Sequence, residues 1–160
     1  MIRCNFISNQ HRINMKYVLL FLMAVSFIAC KSSTAQQVLQ GIKGQVLWFE
    51  GNFMPGPGQS NKGKPVHRTV LIYEVTSMNN VVQENQLYEK VPSKLIKTIE
   101  TDENGNFSIH LPPGRYSVFT KEENGLFANV FDGEGNINPV TVKPGEMTEI
   151  TIDINYKAVY

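Results

Sequence analysis

The chain has 160 residues, 15 Lys and Arg against 14 Asp and Glu, 42% hydrophobic residues and two cysteines. That length suits a single domain, and two cysteines are too few for a disulfide scaffold. The slight positive excess comes from the first 16 residues: without Arg3, Arg12 and Lys16, 12 basic side chains face 14 acidic ones, a net charge of −2. No basic stripe remains, which argues against nucleic acid as a partner.

Residues 1–14 are polar and irregular, whereas Met15-Lys16 is followed by an uninterrupted run of apolar and small residues over 17–29. A basic residue ahead of an apolar run too short to span a bilayer, which takes about 20 residues, is the layout of a secretory signal helix. Met15 is therefore expected to be the working start, with 1–14 an over-extended beginning and 15–29 the signal peptide. The run closes on Phe27-Ile28-Ala29-Cys30, which resembles the bacterial lipobox. That resemblance implies cleavage before Cys30 and acylation of its thiol, hence an exported lipoprotein anchored in a membrane. The residue after Cys30 is Lys31 rather than Asp, so the common inner-membrane retention signal is absent and an outer-membrane or periplasm-facing location stays open. A second cleavage site, Ser33-Thr34-Ala35, has the small-x-small pattern of ordinary export and would release a soluble periplasmic or secreted protein. Cys4 precedes the expected start and Cys30 is the anchor, so the folded part must rely on an apolar core.

After a short tether over 30–40, the domain is expected over 41–157. Its dominant signal has period two. Ile42, Val46 and Trp48 share one face. The stretch 70–75 (Val-Leu-Ile-Tyr-Glu-Val) is rich in β-formers, and 95–101 follows. Phe107, Ile109 and Leu111 alternate with polar residues, 116–120 and 126–131 read as further strands, and Ile150, Ile152 and Ile154 alternate cleanly near the end. One buried and one wet face is the antiparallel habit. Asp102-Glu-Asn-Gly105, Pro112-Pro-Gly114, Asn124-Gly125 and Lys143-Pro-Gly145 supply turns. Short strands at this spacing predict an all-β fold, a seven- or eight-stranded antiparallel β-sandwich. Two stretches, 50–65 and 76–94, exceed ordinary turn length and are expected as loops, with a weak helical pattern over 81–91.

Thr101-Asp-Glu-Asn-Gly-Asn-Phe107, followed by Leu111-Pro-Pro-Gly-Arg-Tyr116, resembles the carboxypeptidase regulatory-like domains found in exported proteins of Bacteroidetes-type bacteria. Ile42-Lys-Gly44-Gln-Val46 and Gly63-Lys-Pro-Val66 match the family's first two strands, so the resemblance spans about 41–154. It implies a transthyretin-like sandwich with an architectural motif and no chemistry of its own.

Catalytic and metal motifs are sparse. Asp132-Gly-Glu134-Gly-Asn136-Ile-Asn138 sets oxygen-bearing side chains at alternate positions, as a calcium loop does. Its sixth and twelfth positions, however, are Ile137 and Lys143, so a solvated turn is the better reading. His67 and His110, the two histidines of the mature chain, lack companion ligands at metal spacing, and His110 falls on the outer face of its strand. No catalytic residue, metal or cofactor is expected. The remaining lead is aromatic: Trp48, Phe49 and Phe53 at the mouth of the first long loop are the expected ligand contacts, as a protein-docking or glycan-stacking platform. The expectation is thus a non-enzymatic cell-envelope module with a structural or protein-interaction role, held to a membrane by lipid at Cys30. The alternative is a carbohydrate-binding accessory module.

Overall fold

The computed structural model describes residues 39–54 and 62–160. The expected signal peptide, Cys30 and most of the expected tether lie outside the described residues. Eleven strands follow in chain order: β1 (Gly41–Asn52), β2 (Lys64–Pro65), β3 (Thr69–Glu74), β4 (Val82–Glu84), β5 (Leu87–Lys90), β6 (Leu95–Glu100), β7 (Asn106–His110), β8 (Gly114–Glu122), β9 (Gly125–Phe127), β10 (Pro139–Val142) and β11 (Met147–Val159). The expected all-β class holds, with more and shorter strands than the seven or eight foreseen, and with β11 running past residue 157.

The strands form two sheets. In the smaller, β11 lies beside β1, and the far side of β1 is shared end to end by β7 (against Gly41–Gln45) and β2 (against Leu47 and Trp48). The larger has the order β4-β5-β9-β8-β3-β6, with β10 pairing the first half of β8. The sandwich is not wholly antiparallel, because β1 and β11 run parallel in register from Gly41↔Met147 to Trp48↔Ile154. Alternation in a sequence reports which face is buried but is blind to strand direction. Parallel neighbours need a long crossover, and here the chain between β1 and β11 builds the rest of the domain.

Period-two side chains meet between the sheets. Ile42, Val46, Phe107, Ile109, Ile152 and Ile154 of the smaller sheet pack against Val70, Ile72, Tyr116, Val118, Val140 and Val142 of the larger. Each such side chain fully withdrawn from water contributes about 1.5–3 kcal/mol, the main source of cohesion in a domain without disulfides. His110 is exposed, as its position between Ile109 and Leu111 requires.

The stretch 76–94 departs from its expected form as a loop with a helical tendency. A single 3₁₀ turn at Met78–Asn80, capped by the Ser77 side chain, leads into the β4–β5 hairpin. Asn85 and Gln86 both have positive φ, 49° and 67°, the type I′ geometry that suits a two-residue hairpin. This segment and residues 128–137 cover the outer face of the larger sheet and create a second core. Phe119, which points away from Val118 by alternation, is fully buried and meets Tyr73 and Tyr88 edge-on at 5.6 Å each. Ala128, Ile137, Met78 and Val81 close the cluster. Tyr73, Tyr88 and Phe119 therefore serve this second core and not the space between the sheets.

Candidate functional site

The end of the sandwich to which β1 runs is where the chemistry gathers. Between Trp48 and Glu50 the register with β11 slips: β1 advances from Trp48 to Glu50 while β11 advances from Ile154 to Lys157. A bulge of this kind re-aims side chains at a sheet margin, and here it turns both Tyr156 and Lys157 toward Trp48. The Tyr156 ring stands edge-on to Trp48 at 5.4 Å and 85°. The Lys157 ammonium lies 5.5 Å from the Trp48 ring centre, and the Arg68 guanidinium lies 5.3 Å from it. Cations at this range are drawn to the indole's negative face. The indole N–H donates to Glu50 Oε2 at 3.1 Å.

Arg68 is held between Trp48 and Glu122 at the end of β8. Its Nε donates toward both Glu122 oxygens at 3.3 Å, the Tyr156 hydroxyl donates to Glu122 Oε2 at 3.2 Å, and the Arg68 backbone N–H donates to Thr101 Oγ1 at 2.8 Å. The Glu122 side chain is only 2% exposed and that of Arg68 28%, so the pair is desolvated and its partners are not interchangeable: removing one strands the other charge. Burial, followed by the charge and hydrogen bond of Glu122, pushes the Tyr156 hydroxyl up to about 12, with Arg68 opposing.

Two hollows open on either side of Trp48. One, about 240 Å³, is bounded by Trp48, Phe53, Lys62 and Lys64. The other, about 330 Å³, is bounded by Trp48, Arg68, Lys121 and Lys157 among others. A third of about 520 Å³ lies beyond Tyr156 and Lys157, against the β4–β5 turn.

The three aromatics singled out by sequence are distributed unequally here. Trp48 and Phe53 line the same hollow. Phe49 points to the other face of β1, packs on Phe53 at 5.3 Å and lies so close over Gly63 that a Cβ there would stand 2.4 Å from its ring. Phe53 also meets Tyr160 at 6.1 Å. Arg68, Glu122, Tyr156 and Lys157 were not foreseen, because they reach the corner from three separate segments, the β2–β3 link, the end of β8 and β11, whose sequence spacing carries no signal. Cys30 lies outside the described residues. His67 sits 3.9 Å from Glu100 on the surface, and His110 Nδ1 lies 3.3 Å from the Gln40 carbonyl oxygen.

The Asp132 segment is a locked turn. Asp132 Oδ1 accepts the backbone N–H groups of Glu134 and Asn136 at 2.9 and 2.8 Å, and Oδ2 accepts Asn136 Nδ2 and Arg115 at 2.8 and 2.7 Å. Its acidic oxygens are thus engaged by donors of the loop itself and of β8.

Compared with known proteins, the chain finds no counterpart: no family model, no curated protein and no solved structure matches it.

Proposed function

We propose that this chain is a non-enzymatic cell-envelope module, a transthyretin-like sandwich anchored by lipid at Cys30, that works by binding a protein partner at the end of the domain opposite the point where the chain enters it. The observation that carries the reading is the direction of β1. The chain enters the sandwich at Gly41, directly after the tether, and β1 then runs 12 residues to Asn52, roughly 36 Å at the rise of a strand. The parallel β11 brings Tyr156, Lys157 and Tyr160 to the same remote end. Trp48, Phe53 and their cationic neighbours thus gather at the end of the sandwich opposite the entry at Gly41, and this is the end at which a partner would dock.

The carbohydrate reading is weaker. Stacking on a sugar needs an open aromatic face, whereas the Trp48 ring is approached by Arg68 and Lys157 and Phe49 is laid against Gly63. Glycan binding abolished by Trp48→Ala and Phe53→Ala together would restore it.

The anchoring part has its own experiment. Processing sensitive to globomycin and loss of membrane association in Cys30→Ser are the expected results. A mature N-terminus at Gln36 would reject the lipid and favour the cleavage after Ala35.

A further inference from the structure

We propose that the groove formed by the two hollows flanking Trp48 binds an extended acidic peptide. This rests on the reading of the remote end as a docking surface and adds the chemistry of the partner. The two hollows share Trp48 as a common wall, so together they make a path along the sandwich end rather than separate pits. Five cationic side chains line it: Lys62 and Lys64 on one side, Arg68, Lys121 and Lys157 on the other. Three acids accompany them, and two are already committed, Glu50 to the Trp48 indole N–H and Glu122 to Arg68. Only Glu123 is left to oppose four lysines, none of which forms an ion pair among the described residues. A local excess of positive charge on a chain whose mature part is net acidic is a directional feature, and charge complementarity of this kind selects partners and speeds their encounter.

The shape favours a peptide over a compact anion. Lys62 and Lys64 are separated from Lys121 and Lys157 by the Trp48 ring, so a ligand satisfying both sides must extend across it. The Trp48 ring, with Arg68 and Lys157 within 5.5 Å of its centre, is only partly buried and would take an apolar side chain between two acidic ones.

Trp48 is the only tryptophan in the chain, so its fluorescence reports on this groove alone. The full-length lipoprotein in detergent would be titrated with an Asp/Glu-rich peptide of about eight residues, a Lys-rich peptide, a neutral peptide and an oligogalacturonate. The expected result is a saturable shift of emission with the acidic peptide only. Affinity should fall steeply with added salt and weaken about tenfold or more in Lys121→Ala/Lys157→Ala, two exposed positions that leave the core intact. Glu123→Lys is expected to tighten binding severalfold, a gain that misfolding cannot mimic. Tighter binding of oligogalacturonate than of the peptide would overturn the peptide as partner in favour of an acidic glycan. An equal response to neutral or Lys-rich peptide would overturn the charge argument while leaving the docking end in place. No response of Trp48 to any probe would overturn the groove itself, and the Cys30→Ser fractionation would still decide the anchoring independently.

Discussion

Two loops in this domain are built to one plan and set to different uses. Asp102-Glu-Asn-Gly-Asn106 joins β6 to β7, and Asp132-Gly-Glu-Gly-Asn136 lies in the segment between β9 and β10. In each, the Asp N–H donates to the carbonyl of the Asn, the Gly N–H returns to the Asp carbonyl, and the Asp carboxylate accepts the third and fifth N–H groups and the Asn side chain. Gly105 and Gly135 take nearly the same positive φ, 73° and 77°. Their surroundings differ. The Gly105 carbonyl accepts Val46 N–H at 2.8 Å and the loop is wedged against β1, whereas the Gly135 carbonyl accepts Met78 N–H at 3.0 Å over open space. The local motif fixes the shape of the turn, and the tertiary neighbour decides how much of the fold depends on it.

Paired glycine substitutions test that statement most severely. At Gly105 an added Cβ would stand 2.4 Å from the Val46 carbonyl oxygen as well as straining the backbone, so Gly105→Ala is expected to cost about 2–4 kcal/mol. At Gly135 nothing lies within 4 Å, leaving only the left-handed backbone penalty of about 1 kcal/mol for Gly135→Ala. Urea unfolding of both variants measures the gap. Equal losses would mean that the motif, and not its neighbour, sets the cost.

The same pair shows where a sequence can be read and where it cannot. The D-x-x-G-N pattern stands in plain view twice, yet the first copy reads at once as a turn, whereas the second reads as a turn only after being weighed against a calcium loop, because Glu134 adds a carboxylate that the first copy lacks at that position. Burial was legible wherever it follows period two: Phe107, Ile109, Ile152 and Ile154 all face inward. Direction was not, since Ile150 to Ile154 alternate identically whether β11 runs with β1 or against it. The β4–β5 hairpin stayed hidden because its turn uses Asn85 and Gln86 where a glycine would have announced it. The second core stayed hidden because Tyr88, Phe119 and Ile137 are close in space and far apart in sequence. At the candidate site, Trp48 and Phe53 stood out by local aromatic density. Arg68 and Glu122, 54 positions apart, could be joined only by the fold.

A smaller effect follows from the corner around Trp48, which shares with the loops a carboxylate satisfied by fixed donors. The Tyr156 hydroxyl is raised to about 12, above the value near 10 of an unfolded tyrosine. A proton held more tightly in the folded state contributes stability that is fully present below pH 10 and lost as pH rises through about 12. Tyr156→Phe is expected to flatten this alkaline decline, read by denaturant midpoints across that window. An unchanged decline would assign it to other tyrosines, of which Tyr73, Tyr88 and Tyr116 are also raised by burial.

The finest distinction between the two loops lies at acid pH. Asp132 is held down to about 2, chiefly by the side chain and backbone of Asn136, with Glu134 N–H and Arg115 adding to them. Asp102 is lowered by the equivalent donors of Asn106 and Asn104, with no arginine. A carboxyl whose folded value is depressed stabilises the fold above its unfolded value, near 4, and that contribution is lost as pH falls through the folded value. With Arg115 as an added donor, the Asp132 share should persist further into acid than the Asp102 share, being lost as pH falls through about 2. Asp102 is exposed and Asp132 partly so, so each step is small and screened by salt. Asp132→Asn is expected to soften the decline between pH 4 and 2, and Asp102→Asn to soften the acid decline as well. Arg115→Gln, which removes the one donor the loops do not share, should move the Asp132 titration toward that of Asp102. Carboxyl chemical shifts followed by NMR give the comparison directly, and coincident titrations in the unmodified protein would show that Arg115, at 2.7 Å, adds nothing to a lock the backbone already closes.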